Sequence, residues 1–164
     1  MDDLEHLPKP KSLFIGIDQS YGGFGLVVFN EKGEVADKQL LKFKKTDGDG
    51  ERLLIIFDYL NHLFWNLVLS EIPVKMAMEG YAYGAKLNRE KMGELGGIVK
   101  TAWYDATKKE AIIVAPTELK KFMTGKGNAS KADMVAAVQK LEPDITDHNL
   151  ADAYGLAYMI YCNN

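Results

Sequence analysis

Three carboxylates stand where a charge is costly. Asp18 follows the apolar run carrying Leu13, Ile15 and Ile17 and opens a glycine-rich stretch, QSYGGFG; Glu79 closes the short run VKMAME; Asp152 stands alone among Leu150, Ala151, Ala153, Leu156 and Ala157. An ion at the end of a buried strand, or on an apolar helix face, must be paired or must face a site. Taken alone, Asp18 fits a metal-binding acid, part of a phosphate-binding loop, or an acceptor for turn amides. Asn149 and His148 precede Asp152 by three and four residues, which puts them on one helical face with it. Carboxylates brought side by side repel each other, so one holds a proton unless a cation lies between them. Acids joined by an Asn or His donor suit a hard divalent ion such as Mg²⁺. A soft-metal site is excluded by the single cysteine, Cys162. The plainer alternatives are an Asp152 drawn to the positive helix N-terminus and a His148 that caps or faces water.

The elements that must bring these acids together can be read from periodicity. Residues 14–29, FIGIDQSYGGFGLVVF, read as a β-hairpin, with Gly22, Gly23 and Gly25 expected to give its turn freedom in φ. NEKG is a turn, residues 34–45 a third antiparallel strand, and residues 51–70 a helix ended before Pro73. Residues 74–79 form a fourth strand, 80–88 a loop with Tyr81 and Tyr83, and 89–106 a second helix. AIIVA is a fifth strand closed by Pro116. Helices are expected over 117–123, 131–141 and 147–161, with TGKGNAS as a loop. A three-strand meander followed by right-handed crossovers gives an α/β fold, a five-stranded mixed sheet of order 3-2-1-4-5 flanked by helices. Asp18 and Glu79 then become neighbours at one edge of the sheet, where ligands gather in open α/β folds.

Length and composition narrow the classes. The chain has 164 residues, 47% of them hydrophobic, enough for one domain and too few for the two lobes of a sugar kinase. Residues 1–11 read as a disordered lead-in without an apolar targeting core, and 12–164 as a single domain. The apolar segment 53–69 is broken by Asp58, Asn61, His62 and Asn66, so it reads as a buried amphipathic helix and not a membrane span. One cysteine agrees with a reducing interior, hence a cytoplasmic protein. A net charge of −3 weakens the case for nucleic-acid binding, since phosphate affinity comes mainly from Lys and Arg. Distribution matters more than the sum: Lys120, Lys121, Lys126 and Lys131 crowd one segment, Lys86, Arg89 and Lys91 another, and Lys42, Lys44 and Lys45 a third that reads as a solvated face.

Four stretches together resemble one family. GIDQSYGGFG, MEGYAYGAKLNREKMGELGGIVKTA, APTELKKFMTGKGNASKADMV and NLADAYGLAY are similar to the RuvC Holliday junction resolvases of the ribonuclease H-like superfamily, in particular to their small phage versions. The resemblance runs from about residue 12 to residue 161. It implies a homodimeric nuclease that cuts four-way and other branched DNA with two Mg²⁺ ions, or Mn²⁺, per active site. Asp18, Glu79 and Asp152 match three of the family's four metal ligands, and Lys120 and Lys131 its two basic residues near the scissile phosphate. The fourth ligand position falls on Asn149, with His148 or Asp147 as substitutes. The family's base-stacking aromatic falls on Ala82, between Tyr81 and Tyr83, either of which could stack on an unpaired base. Lys121, Lys126, Lys86 and Arg89 complete the expected DNA contacts, and Gly96 and Gly97 the expected close approach of two copies. A hybrid-cutting or broadly branched-DNA nuclease, and a junction binder with a degenerate metal site, are the competing readings.

Overall fold

The structure, a computed structural model, describes residues 9–80 and 89–164. Three antiparallel strands, β1 (Leu13–Gln19), β2 (Gly23–Asn30) and β3 (Val35–Lys42), lead into α1 (Asp49–Leu69). They are followed by β4 (Val74–Glu79), α2 (Arg89–Thr107), β5 (Ile112–Val114), α3 (Pro116–Thr124), α4 (Lys131–Gln139) and α5 (His148–Cys162). The sheet order is β3-β2-β1-β4-β5, with β4 parallel to both β1 and β5. This is the mixed sheet expected from the meander and the crossovers. Strand β3 is shorter than expected, and Asp147 caps α5 from outside instead of opening it.

Alternation on β1 divides the core. Leu13, Ile15 and Ile17 join Leu26, Met76 and Met78 under α1 and α2, where Ile56, Leu60, Phe64, Val99 and Trp103 cover them. On the other face Phe14, Val27, Phe29 and Ala77 pack with Leu119 of α3, Met134 of α4 and Leu156 of α5. Because both faces are covered, every residue of β1 is buried, Asp18 included. A buried central strand leaves a polar side chain no route to water except at the strand's end.

The hairpin glycines have a different purpose from the one expected. Among the described residues, only Gly33 and Gly125 are glycines with positive φ. Gly23 and Gly25 lie inside β2, in extended backbone, and what they lack is a side chain in the path of α5. A Cβ on Gly25 would stand 2.5 Å from the Asn149 carbonyl oxygen, and one on Gly23 would stand 2.5 Å from Asn149 Nδ2. Gly16 on β1 is tighter still, 2.0 Å from the Ala153 carbonyl oxygen. Helix α5 therefore lies directly on the sheet backbone.

Candidate active site

Each acid reaches the site by a separate local route. Asp18 sits one residue beyond the last paired rung of β1 and β4, Ile17 opposite Met78, and Glu79 ends β4 in the corresponding place. Asp152 comes from the first turns of α5, lowered onto the sheet by Gly16 and Gly25. One carboxylate oxygen from each of Asp18, Glu79 and Asp152 lies within 4.8 Å of the others. Residues 61 and 73 positions apart thus share one pocket of charge.

Electrostatics in that pocket are dominated by burial. Asp18 is 7% exposed, and desolvation, followed by the nearby Glu79 and Asp152 charges, holds its carboxyl well above the usual carboxylate range. Desolvation and Asp152 push Glu79 up from 4.5 to about 7. Burial raises Asp152 as well, against the pull of His148, Lys120 and Lys131. The donors are hard oxygens and the three sites cannot all ionise cheaply without a cation, so the residues fit a divalent oxygen-seeking metal.

The surrounding residues divide clearly. Lys120 on α3 and Lys131 at the start of α4 both act on Glu79 and Asp152, and Lys131 acts on Asp18 too. Lys131 Nζ is 3.0 Å from His148 Nε2, which ties the first residues of α4 and α5 to each other. Lys121 and Lys126 are exposed, and Lys126 acts instead on Asp133, within the capping box that Asp133 forms with Ser130 at the head of α4. Tyr81, Tyr83 and Lys86 lie outside the described residues, as does the side chain of Arg89. Asn149 is 6% exposed, with its side-chain amide against Gly23. Asp147 accepts from the Asn149 amide at 2.9 Å and pairs with Lys42 at 3.4 Å, so it is already engaged as a cap. Of the lysines read as a solvated face, Lys42 has this partner.

Two features escaped the sequence reading. Gln19, next to Asp18, is 1% exposed and donates its side-chain amide to the main-chain carbonyl of Glu79. The clearance role of Gly16 was equally silent. A polar residue beside a candidate ligand is a signal for the first; for the second only the packing of α5 supplies one.

No family model matches the chain. It is 29% identical over 129 residues to the crossover junction endodeoxyribonuclease RuvC of Prochlorococcus marinus subsp. pastoris, covering 76% of this chain and 78% of that protein. Among solved structures it is similar to RuvC of Thermus thermophilus, with a TM-score of 0.72 at 20% identity over 92% of this chain and 95% of the other. It is similar also to T. thermophilus RuvC in complex with a Holliday junction substrate, with a TM-score of 0.67 at 22% identity, covering 90% and 91%. At these identities the structural likeness is one of fold. By sequence and by fold together, the chain is related to the RuvC crossover junction endodeoxyribonucleases.

Proposed function

We propose that the chain is a metal-dependent endonuclease that resolves four-way DNA junctions by paired nicks leaving 5′-phosphate and 3′-hydroxyl ends. The observation that carries this reading is the convergence of Asp18, Glu79 and Asp152 within 4.8 Å. It is supported by the relationship to RuvC and by the fold shared with a RuvC that binds a Holliday junction. Asp18, Glu79 and Asp152 would hold two Mg²⁺ or Mn²⁺ ions, with Asn149 as the neutral fourth donor. Bound there, the ions would activate water and offset charge on the phosphate and the leaving 3′ oxygen.

The chain's own residues do the rest. Lys131 offsets charge at the scissile phosphate and Lys120 positions the strand, both being close enough to act on the acids. Lys121 and Lys126 give more distant phosphate contacts, with Lys86, Tyr81 and Tyr83 contributing from the segment that precedes α2 and Arg89 from its first position. Matched cuts in two strands of a junction require two sites related by a twofold axis, so the active form is a homodimer. Its interface is the exposed side of α2, and it works in the cytoplasm where branched DNA arises.

The test is cleavage of four-way, flap, duplex and RNA–DNA hybrid substrates with a Mg²⁺ titration. Asp18→Asn and Asp152→Asn should bind the four-way junction as before while cutting falls by orders of magnitude. Undiminished cutting by either variant would remove the assignment. Preference for the hybrid would favour the ribonuclease H-type reading, equal cutting of every branched form the broad one, and no metal-dependent cutting a binding protein.

A further inference from the structure

Where β1 and β4 part, a side chain takes over from the backbone. Their ladder stops at Ile17 opposite Met78. One residue on, Glu79 turns its other edge to β5, pairing with Val114, and the Gly80 amide bonds to the Val114 carbonyl at 2.7 Å. The Glu79 carbonyl facing β1 would be left without a donor, and Gln19 Nε2 supplies it. This bond links positions immediately beside two carboxylates that repel each other.

The amide stands in a place that suits an apolar residue. It lies opposite Phe24 in the β1–β2 register and on the Ile15 and Ile17 side of β1, the side covered by α1 and α2. Its Oε1 is buried and has no hydrogen-bond partner among the described residues. Leaving such an acceptor unmade costs stability, because its desolvation goes uncompensated. The fold carries that cost at a side chain that, alone among the described residues, bonds across the gap between Asp18 and Glu79.

We propose that Gln19 is a positioning residue that clamps the ends of β1 and β4, holding the Asp18 and Glu79 carboxylates at metal-binding separation. This rests on the metal-site reading above. Gln19 itself touches neither ion nor substrate. Its effect passes through the Glu79 main chain, as outer-shell partners of metal ligands act in general.

Mn²⁺ binding, followed by the paramagnetic resonance of the free ion and by calorimetry, tests this without any cleavage assay. Gln19→Met keeps the length and removes both the donor and the stranded acceptor. It should weaken Mn²⁺ binding by about 10- to 100-fold with circular dichroism unchanged and Tm not lowered. Ile17→Val, which loosens the same strand but keeps the clamp, should lower Tm and bind Mn²⁺ as the native chain does. Unchanged affinity in Gln19→Met overturns the inference, and so does an equal loss in Ile17→Val. Failure of both Gln19→Met and Gln19→Leu to fold would make the residue a requirement of the fold and overturn it also. Absence of Mn²⁺ binding by the native chain would instead sink the metal-site reading, and the clamp with it.

Discussion

Asp18, Glu79 and Asp152 are each harder to ionise than a solvated carboxyl, because burial raises all three and, at Asp18 and Glu79, a neighbouring carboxylate pushes the same way. A folded-state pKa above the unfolded one means that the folded chain binds the extra proton. The stabilising contribution is therefore whole below the unfolded value and is lost as pH rises through the folded one. For Glu79 the window runs from 4.5 to about 7. A shift of that size corresponds to about 3 kcal/mol. The metal-free protein should accordingly melt at a lower temperature at about pH 8 than at about pH 5, and Mg²⁺ should raise Tm more at the higher pH. Scanning calorimetry at both values checks it; a Mg²⁺ effect larger in acid would contradict the site. Lys131 gives a second residue-level expectation. Because it acts on all three acids and touches His148, Lys131→Ala should lower the cleavage rate more than junction affinity, measured by single-turnover kinetics against a binding titration. Equal losses would reduce it to an ordinary phosphate contact.

At the scale of elements, the site depends on how low α5 can lie. A Cβ at Gly16 would meet the Ala153 carbonyl oxygen at 2.0 Å and the Ala157 nitrogen at 2.5 Å, both backbone atoms that cannot step aside. Overpacking of this kind costs about 1–3 kcal/mol or more. Gly16→Ala should lower Tm by several degrees and weaken Mn²⁺ binding, since Asp152 rises with its helix. Gly22→Ala meets nothing within 4 Å and should leave both quantities unchanged. Thermal melts with Mn²⁺ titration of the two variants decide between clearance and turn flexibility as the reason for glycine here. The linkers around α3 and α4 are set locally: Pro116 opens α3, Gly125 ends α3 with φ of 80°, and Ser130 with Asp133 forms a capping box for α4. From sequence, Pro116 closes β5 and TGKGNAS is a loop; these caps are what the structure adds at the helix ends.

For the whole molecule, a net charge of −3 is reconciled with the proposed DNA binding by placement, since Lys120 and Lys131 converge beside the acids while Lys38 and Lys42 are engaged by Glu142, Asp144 and Asp147. The proposed dimer makes its own demand on α2. Gly96 is buried, but Gly93 and Gly97 are exposed and a Cβ at either meets nothing within 4 Å among the described residues, so a side chain at Gly97 starts out into open space. Gly97→Arg should therefore keep the melting temperature of the isolated protomer while converting dimer to monomer in sedimentation velocity. Loss of paired junction cuts, with single nicking retained, should accompany it. A native chain that sediments as a monomer at all working concentrations would remove the twofold mechanism. No helix among the described residues is long and apolar enough to cross a membrane.

The strand alternation, the helix caps and the order of elements are local properties, carried by side-chain period and backbone preference, and so the sequence alone determined the sheet order and the adjacency of Asp18 and Glu79. The odd placement of Asp152 in an apolar helix marked it as well. Only the tertiary structure decided how close that helix comes, because clearance over Gly16 and Gly25 is a property of two surfaces far apart along the chain. The same holds for Gln19, whose hydrogen-bond partner lies 60 residues away, and for Asp147, whose cap and Lys42 pairing occupy it. Period reveals which face a residue takes; what waits on that face is fixed by the packed chain.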